Sequence, residues 1–123
     1  MEINLSLLPH TWLIDIDGTI LKHNGHKTGV DELLSGVLQF WNEIPHDDTI
    51  ILMSARTEDE RQSTLEFLIN KGLRFDHVIF GLPTGERVLI NDKKPKGLET
   101  AIAVNIERDI GLIGYQIVID ESL

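Results

Sequence analysis

The segment Thr11-Trp12-Leu13-Ile14-Asp15-Ile16 constrains the fold more than any other part of the chain, because it is almost continuously apolar and carries a carboxylate near its exit. Continuous rather than alternating apolarity marks a strand covered on both faces, the arrangement of a parallel sheet. Asp17, Gly18 and Thr19 follow directly. Gly18 breaks the strand, and a second carboxylate two positions after the first is costly there unless something uses the charge.

The pattern recurs along the chain. Residues 31–44 place Leu33, Leu34, Val37, Leu38, Trp41 and Ile44 at helical spacing, with Pro45 closing the run, and so predict a helix. Residues 49–54 read as a second buried strand that again ends in a polar residue, Ser54. A second helix is expected over 58–71, with Leu65, Leu68 and Ile69 inward and Gly72 as its stop. Residues 77–80 read as a short third strand, and 87–90 as a fourth that ends at Asn91-Asp92. The stretch 100–106 reads as strand or helix, with Val104 and Ile106 favouring strand, and 115–119 as a last strand at a sheet edge. This alternation predicts a three-layer α/β domain with a mostly parallel sheet. In such sheets the working residues gather outside the carboxyl ends of the strands. Here three of those ends carry Asp15, Ser54 and Asn91-Asp92.

Composition narrows what those residues can serve. A chain of 123 residues suits one domain, 1–123, with one core. It has no cysteine, which excludes disulfides, a cysteine nucleophile and a thiolate zinc site. Twenty acidic residues against eleven basic ones give a net charge of −9, which repels phosphate backbones and argues against a nucleic-acid partner. No segment approaches the ~20 apolar residues of a membrane span. The stretch from Met1 to Leu8 lacks the positive charge of a secretory signal, so the expected location is the cytoplasm, without a membrane partner. The five histidines show no zinc spacing; His23 and His26 read as solvated loop residues, and Trp12 and Trp41 as core.

Asp15 and Asp17 at one strand exit suit a divalent cation, because hard ions take oxygen ligands beside a phosphate. Gly18 allows a sharp turn that brings backbone N–H groups toward an anion, with Thr19 next to it. Once the charges are screened, one Asp can attack phosphorus while the other moves the proton. Ser54 offers a small hydroxyl donor at a strand tip, backed by the backbone amide of Ala55, and Arg56 adds a planar donor fork suited to phosphate or carboxylate. Asn91 or Asp92 is the candidate third metal ligand, and Lys93 or Lys94 the candidate neutraliser of phosphate charge. Each residue also has an ordinary reading: an acidic turn, a capping hydroxyl, a surface arginine, a solvated lysine loop. Their convergence on strand ends favours the chemistry.

Taken in order, these stretches resemble the haloacid dehalogenase superfamily of phosphohydrolases. Its first signature, Asp-x-Asp-Gly-Thr, corresponds to Asp15 through Thr19; its second, an apolar strand ending in Ser or Thr, to Ile50 through Ser54. Its fourth, an apolar strand ending in an acidic pair or close variant, is similar to Val88 through Asp92. The resemblance implies a Rossmann-like core and a Mg²⁺-dependent phosphatase acting on a phosphate monoester. Asp15 would form an aspartyl-phosphate and bind Mg²⁺. Asp17 would act as general acid and then base, and would ligate Mg²⁺ through its backbone carbonyl. Ser54 would hold the phosphoryl group, and Thr19 would support the loop. The family's cap insertion has no room here, so the resemblance implies a capless, open site. Such sites serve larger substrates or borrow a lid from another subunit, which leaves a homo-oligomer open. The substrate it implies is a small phosphorylated compound, a sugar phosphate or a phosphorylated polymer end.

Two positions depart from the family pattern. Gly81-Leu82-Pro83 stands where similar small members have Gly-Lys-Pro, so the lysine's role passes to Lys93 or Lys94 or is empty. The acidic pair is softened to Asn91-Asp92. These departures motivate the alternative of a catalytically silent binding protein that keeps the metal or phosphate site.

Overall fold

The computed structural model describes all 123 residues, the side chains of His26 and Thr28 excepted. Its elements run β1 (Glu2–Leu5), β2 (Thr11–Asp15), α1 (Val37–Glu43), β3 (Thr49–Met53), α2 (Arg61–Asn70), β4 (His77–Ile79) and β5 (Gln116–Ile119), with 3-10 turns at Gly25–Thr28 and Glu58–Glu60. The chain is thus an α/β protein with parallel sheets and few helices. Strands β2, β3 and β4 form one parallel sheet in that order, with Asp15 level with Met53 and Met53 level with Ile79. Strands β1 and β5 form a separate parallel pair, Glu2 opposite Gln116 and Leu5 opposite Ile119.

The core gathers on the three-stranded sheet. Ile14, Ile50 and Leu52 are buried from β2 and β3, Ile16 just past the end of β2, Val37, Phe40 and Trp41 from α1, and Leu68 from α2. Trp12 packs against this cluster too, its ring edge-on to Phe40 at 5.8 Å, so both tryptophans belong to the core as expected. Burying a side chain such as Leu52 contributes about 1.5–3 kcal/mol, which is why these short strands hold together.

Both helices differ from their sequence expectation. Helix α1 starts six residues later than 31, because residues 31–36 are drawn into tertiary contacts instead. Leu33 bridges to Leu21, the Leu34 N–H donates to the Ile20 carbonyl at 2.9 Å, and Gly36 enters the helix at φ 75°. At its other end Ile44 turns extended, as a residue before proline must. Helix α2 opens with the 3-10 turn and buries Thr64 and Leu68, but Ile69 is 61% exposed rather than inward. Successive residues on a helix are rotated by about 100°, so with Leu65 and Leu68 meeting the core the next residue points away.

The largest departure is the fourth strand. Residues 87–90 join no sheet, and Val88 and Ile90 are 82% and 89% exposed. Branched residues favour an extended backbone, but a strand exists only with a ladder partner, and among the described residues this segment makes no backbone ladder. Residues 100–106 are neither strand nor helix, although Val104 and Ile106 pack against the core. The last strand forms as expected, with the unforeseen N-terminal strand β1 as its partner.

Candidate functional site

Strands β2 and β3 deliver their polar ends side by side. The Ile16 N–H donates to the Met53 carbonyl at 3.0 Å, and the Ser54 N–H to the Ile79 carbonyl at 2.9 Å, so Asp15, Ser54 and the exit of β4 share one edge. Gly18 takes φ 84°, a left-handed turn that folds Thr19 back, and the Thr19 hydroxyl donates to Asp15 Oδ2 at 3.2 Å. Asp15 Oδ1 faces the Arg87 guanidinium at 3.5 Å. Burial raises the Asp15 pKa above the ordinary carboxylate value; the Thr19 hydrogen bond and the Arg87 charge oppose this, and the negative charge of Asp17 adds to it.

Asp17 sits in a different environment, clamped by Arg56. Arg56 Nε lies 3.2 and 3.1 Å from the two Asp17 oxygens, and Nη2 donates to Asp17 Oδ1 at 2.8 Å. The same guanidinium donates to both oxygens of Asp31, at 3.1 and 2.8 Å, and to the Thr64 hydroxyl at 2.9 Å. Burial alone would lower the Arg56 pKa, but the bonds to Asp31 and Asp17 outweigh it and hold the guanidinium above its ordinary value. Ser54 is fully buried, and its Oγ accepts the Arg56 N–H at 2.9 Å. Its hydroxyl proton has no acceptor among the described residues. Ala55, between them, is exposed.

The remaining expected residues stand apart. Asn91 donates to the Thr100 hydroxyl at 2.8 Å, the Thr100 hydroxyl bonds the Asp92 carbonyl, and both Asn91 and Asp92 are exposed. Neither makes a hydrogen bond or ion pair with Asp15 or Asp17 among the described residues. Lys93 pairs with Glu99 at 3.7 Å on the surface, and Lys94 is exposed. The cation paired with Asp15 is therefore Arg87, which sequence reasoning placed at the start of a strand. Only its position a few residues before Asn91-Asp92 hinted at it.

Sequence reasoning also missed a buttress on the loop after β2. The Asp109 N–H donates to the Gly18 carbonyl at 2.9 Å, and Asp109 Oδ1 accepts the His23 N–H at 2.7 Å. Asp109 holds φ 65°, a conformation aspartate tolerates better than most residues, but nothing in the sequence ties it to Gly18. His23 is half-buried under this contact rather than solvated, and the His26 side chain lies outside the described residues.

As a donor set, this strand end suits a hard cation in type. Asp15 supplies a carboxylate and Asp17 a backbone carbonyl, both oxygen ligands. Among the described residues no group of three or more His, Cys, Asp or Glu side chains gathers around one point. Mg²⁺ is commonly held by one or two carboxylates with water and substrate phosphate completing its shell, so the Asp15 carboxylate with one backbone carbonyl is a compatible minimum.

Fold and site together define a class: an α/β protein with a parallel sheet that presents a polarised aspartate, a buried serine and two arginines at its carboxyl edge. Known proteins take the description no further, since no family model, no curated protein and no solved structure matches the chain.

Proposed function

We propose that this protein is a Mg²⁺-dependent phosphohydrolase that cleaves a phosphate monoester through an aspartyl-phosphate on Asp15. The observation that carries the reading is the contrast between the two aspartates. Asp15 is oriented by Thr19, faces one arginine and keeps 36% of its side chain exposed, while Asp17 is fixed by another. A nucleophile has to be oriented and reachable, as Asp15 is, and a proton carrier has to be held in place beside it, as Asp17 is.

In this reading an Asp15 oxygen attacks phosphorus in line, and the bond to the leaving oxygen breaks as Asp17 protonates it. Asp17 then takes a proton from water, whose oxygen attacks the acyl phosphate and regenerates the Asp15 carboxylate with release of phosphate. Ser54 donates its free hydroxyl proton to a phosphoryl oxygen, and Arg87 spreads the charge. Mg²⁺ would be held by the Asp15 carboxylate and the Asp17 carbonyl, with Asn91 or Asp92 as third protein ligand, and would supply charge neutralisation. The reading carries with it a three-layer, Rossmann-like single domain without a cap, placed in the cytoplasm. Its substrate is a small phosphorylated compound such as a sugar phosphate.

The test is phosphate release from sugar phosphates, nucleotides and p-nitrophenyl phosphate with Mg²⁺, beside Asp15→Asn. Turnover that needs Mg²⁺ and falls by more than about 10³-fold in Asp15→Asn supports the assignment, since removing a nucleophile acts on that scale or above. Undiminished turnover in Asp15→Asn sinks it. The exposed position of residues 88–92 favours a second reading, a silent relative that binds Mg²⁺ or phosphate. Calorimetric binding of either ligand, with no turnover across the panel, is the result that selects it.

A further inference from the structure

Arg56 looks in the sequence like a substrate ligand, yet its surroundings leave it nothing to offer a substrate. A guanidinium has five N–H groups. One is shared between the two Asp17 oxygens, one goes to Asp17 Oδ1, two to Asp31 and one to Thr64. Its side chain is 2% exposed, against 16% for Asp17 and 13% for Asp31. A phosphate oxygen could reach Arg56 only by displacing one of these carboxylates, which would strand a charge in a partly buried site.

Building on the phosphohydrolase reading, we propose that Arg56 is a positioning residue for Asp17, and that Asp31 is the counter-carboxylate that fixes the guanidinium plane. Each oxygen of Asp17 meets the edge of the fork, so the carboxylate cannot rotate without losing a charge-assisted bond. Asp31 grips the adjacent edge and sets that edge's direction. Thr64, fully buried on α2, anchors the far nitrogen to the helix. The loop ahead of α1 is thereby built into the site through Asp31, and the departure of residues 31–36 from helical structure has a use. The cluster orients the proton carrier, while phosphate binding is left to Ser54 and Arg87.

The experiment compares wild type, Arg56→Lys and Asp31→Asn in kcat, KM and the inhibition constant for inorganic phosphate, with near-ultraviolet circular dichroism to confirm the native fold. Lysine keeps the charge but cannot span two carboxylates. A misoriented acid–base group costs on the order of 10²-fold or more. Arg56→Lys is thus expected to lose about that factor in kcat, and Asp31→Asn a smaller factor in the same direction, while the phosphate inhibition constant stays within about threefold. A rise of about tenfold or more in that constant, with kcat kept, would make Arg56 a substrate ligand and overturn the proposal. So would an Asp31→Asn protein with wild-type kcat, which also decides the matter should Arg56→Lys fail to fold. Wild-type protein without turnover overturns the phosphohydrolase reading and this inference with it. An active wild type with displaced phosphate affinity in the variants overturns this inference alone.

Discussion

Asp48 illustrates how much one buried carboxylate can organise. Its oxygens accept the Trp12 indole N–H at 2.9 Å, the His10 backbone N–H at 3.0 Å and a contact from the His10 ring at 2.8 Å. Burial alone would raise its pKa, but the bonds from Trp12 and His10 outweigh it and hold the carboxyl below its ordinary value. A depressed folded-state pKa gives stabilisation that is complete above the unfolded value of about 3.9 and fades as pH falls through the lower folded one. Asp48→Ala should therefore cost about 2 kcal/mol at pH 7, since it strands the buried indole and backbone donors. In urea titrations the gap between variant and wild type should narrow below about pH 4. A gap that stays constant to pH 3 would show that the carboxylate's charge is not what these donors need. At this scale the sequence was informative where identity and position coincide, as with Asp15 and Ser54 at strand exits. It offered Arg56 as a donor fork for substrate but was silent on its partners Asp17 and Asp31, which lie 39 and 25 residues away, because pairing over such distances is a property of the folded chain.

Among the elements, the two that periodicity identified best were still trimmed by tertiary contacts. The apolar spacing of residues 31–44 fits a helix throughout, yet the backbone of residues 35 and 36 is used to dock the segment before β5. The Leu112 N–H donates to the Ser35 carbonyl at 2.8 Å, and Gly111 takes φ 88° so that its α-carbon can lie against that residue. A Cβ on Gly111 would fall on the Ser35 carbonyl. Gly81 has a similar φ of 71° but open space around it. Gly111→Ala should then cost about 3 kcal/mol, the left-handed strain plus a backbone clash, and Gly81→Ala only about 1 kcal/mol. Thermal unfolding of the two variants separates these terms. Equal losses would mean that the corner relaxes freely and that the contact between Ser35 and Gly111 does not hold β5 in place. Nothing in the sequence pairs residue 35 with residue 111, just as nothing pairs β1 with β5; both contacts are non-local and leave no periodicity to read.

For the whole molecule, the division that matters is between the sheet β2-β3-β4 with its helices and the long stretch after β4. From β2 through β4 the order of strands and helices was legible because each of those elements carries its own apolar signal, whereas β1 went unforeseen. The fourth strand was not legible, because its apolar residues signal an extended backbone without specifying a partner. Among the described residues, none of the backbone N–H groups of residues 84–92 donates to another backbone group or to a side chain, whereas Ile50 and its neighbours are locked in the ladder. Amide exchange measures that difference directly, since protection follows the free energy of opening each bond. Amides 84–92 should exchange at close to intrinsic rates, and those of β3 should be the slowest in the chain. If Asn91 or Asp92 completes a Mg²⁺ site at Asp15, adding Mg²⁺ with inorganic phosphate must hold this stretch against the strand ends. Exchange at 88–92 should then slow by about tenfold or more, roughly 1.4 kcal/mol of added protection, with β3 less affected. The same ligands added to Asp15→Asn should leave 88–92 fast. Unchanged exchange in wild type despite bound Mg²⁺ would remove Asn91 and Asp92 from the ligand set and leave Asp15, the Asp17 carbonyl and water to hold the ion.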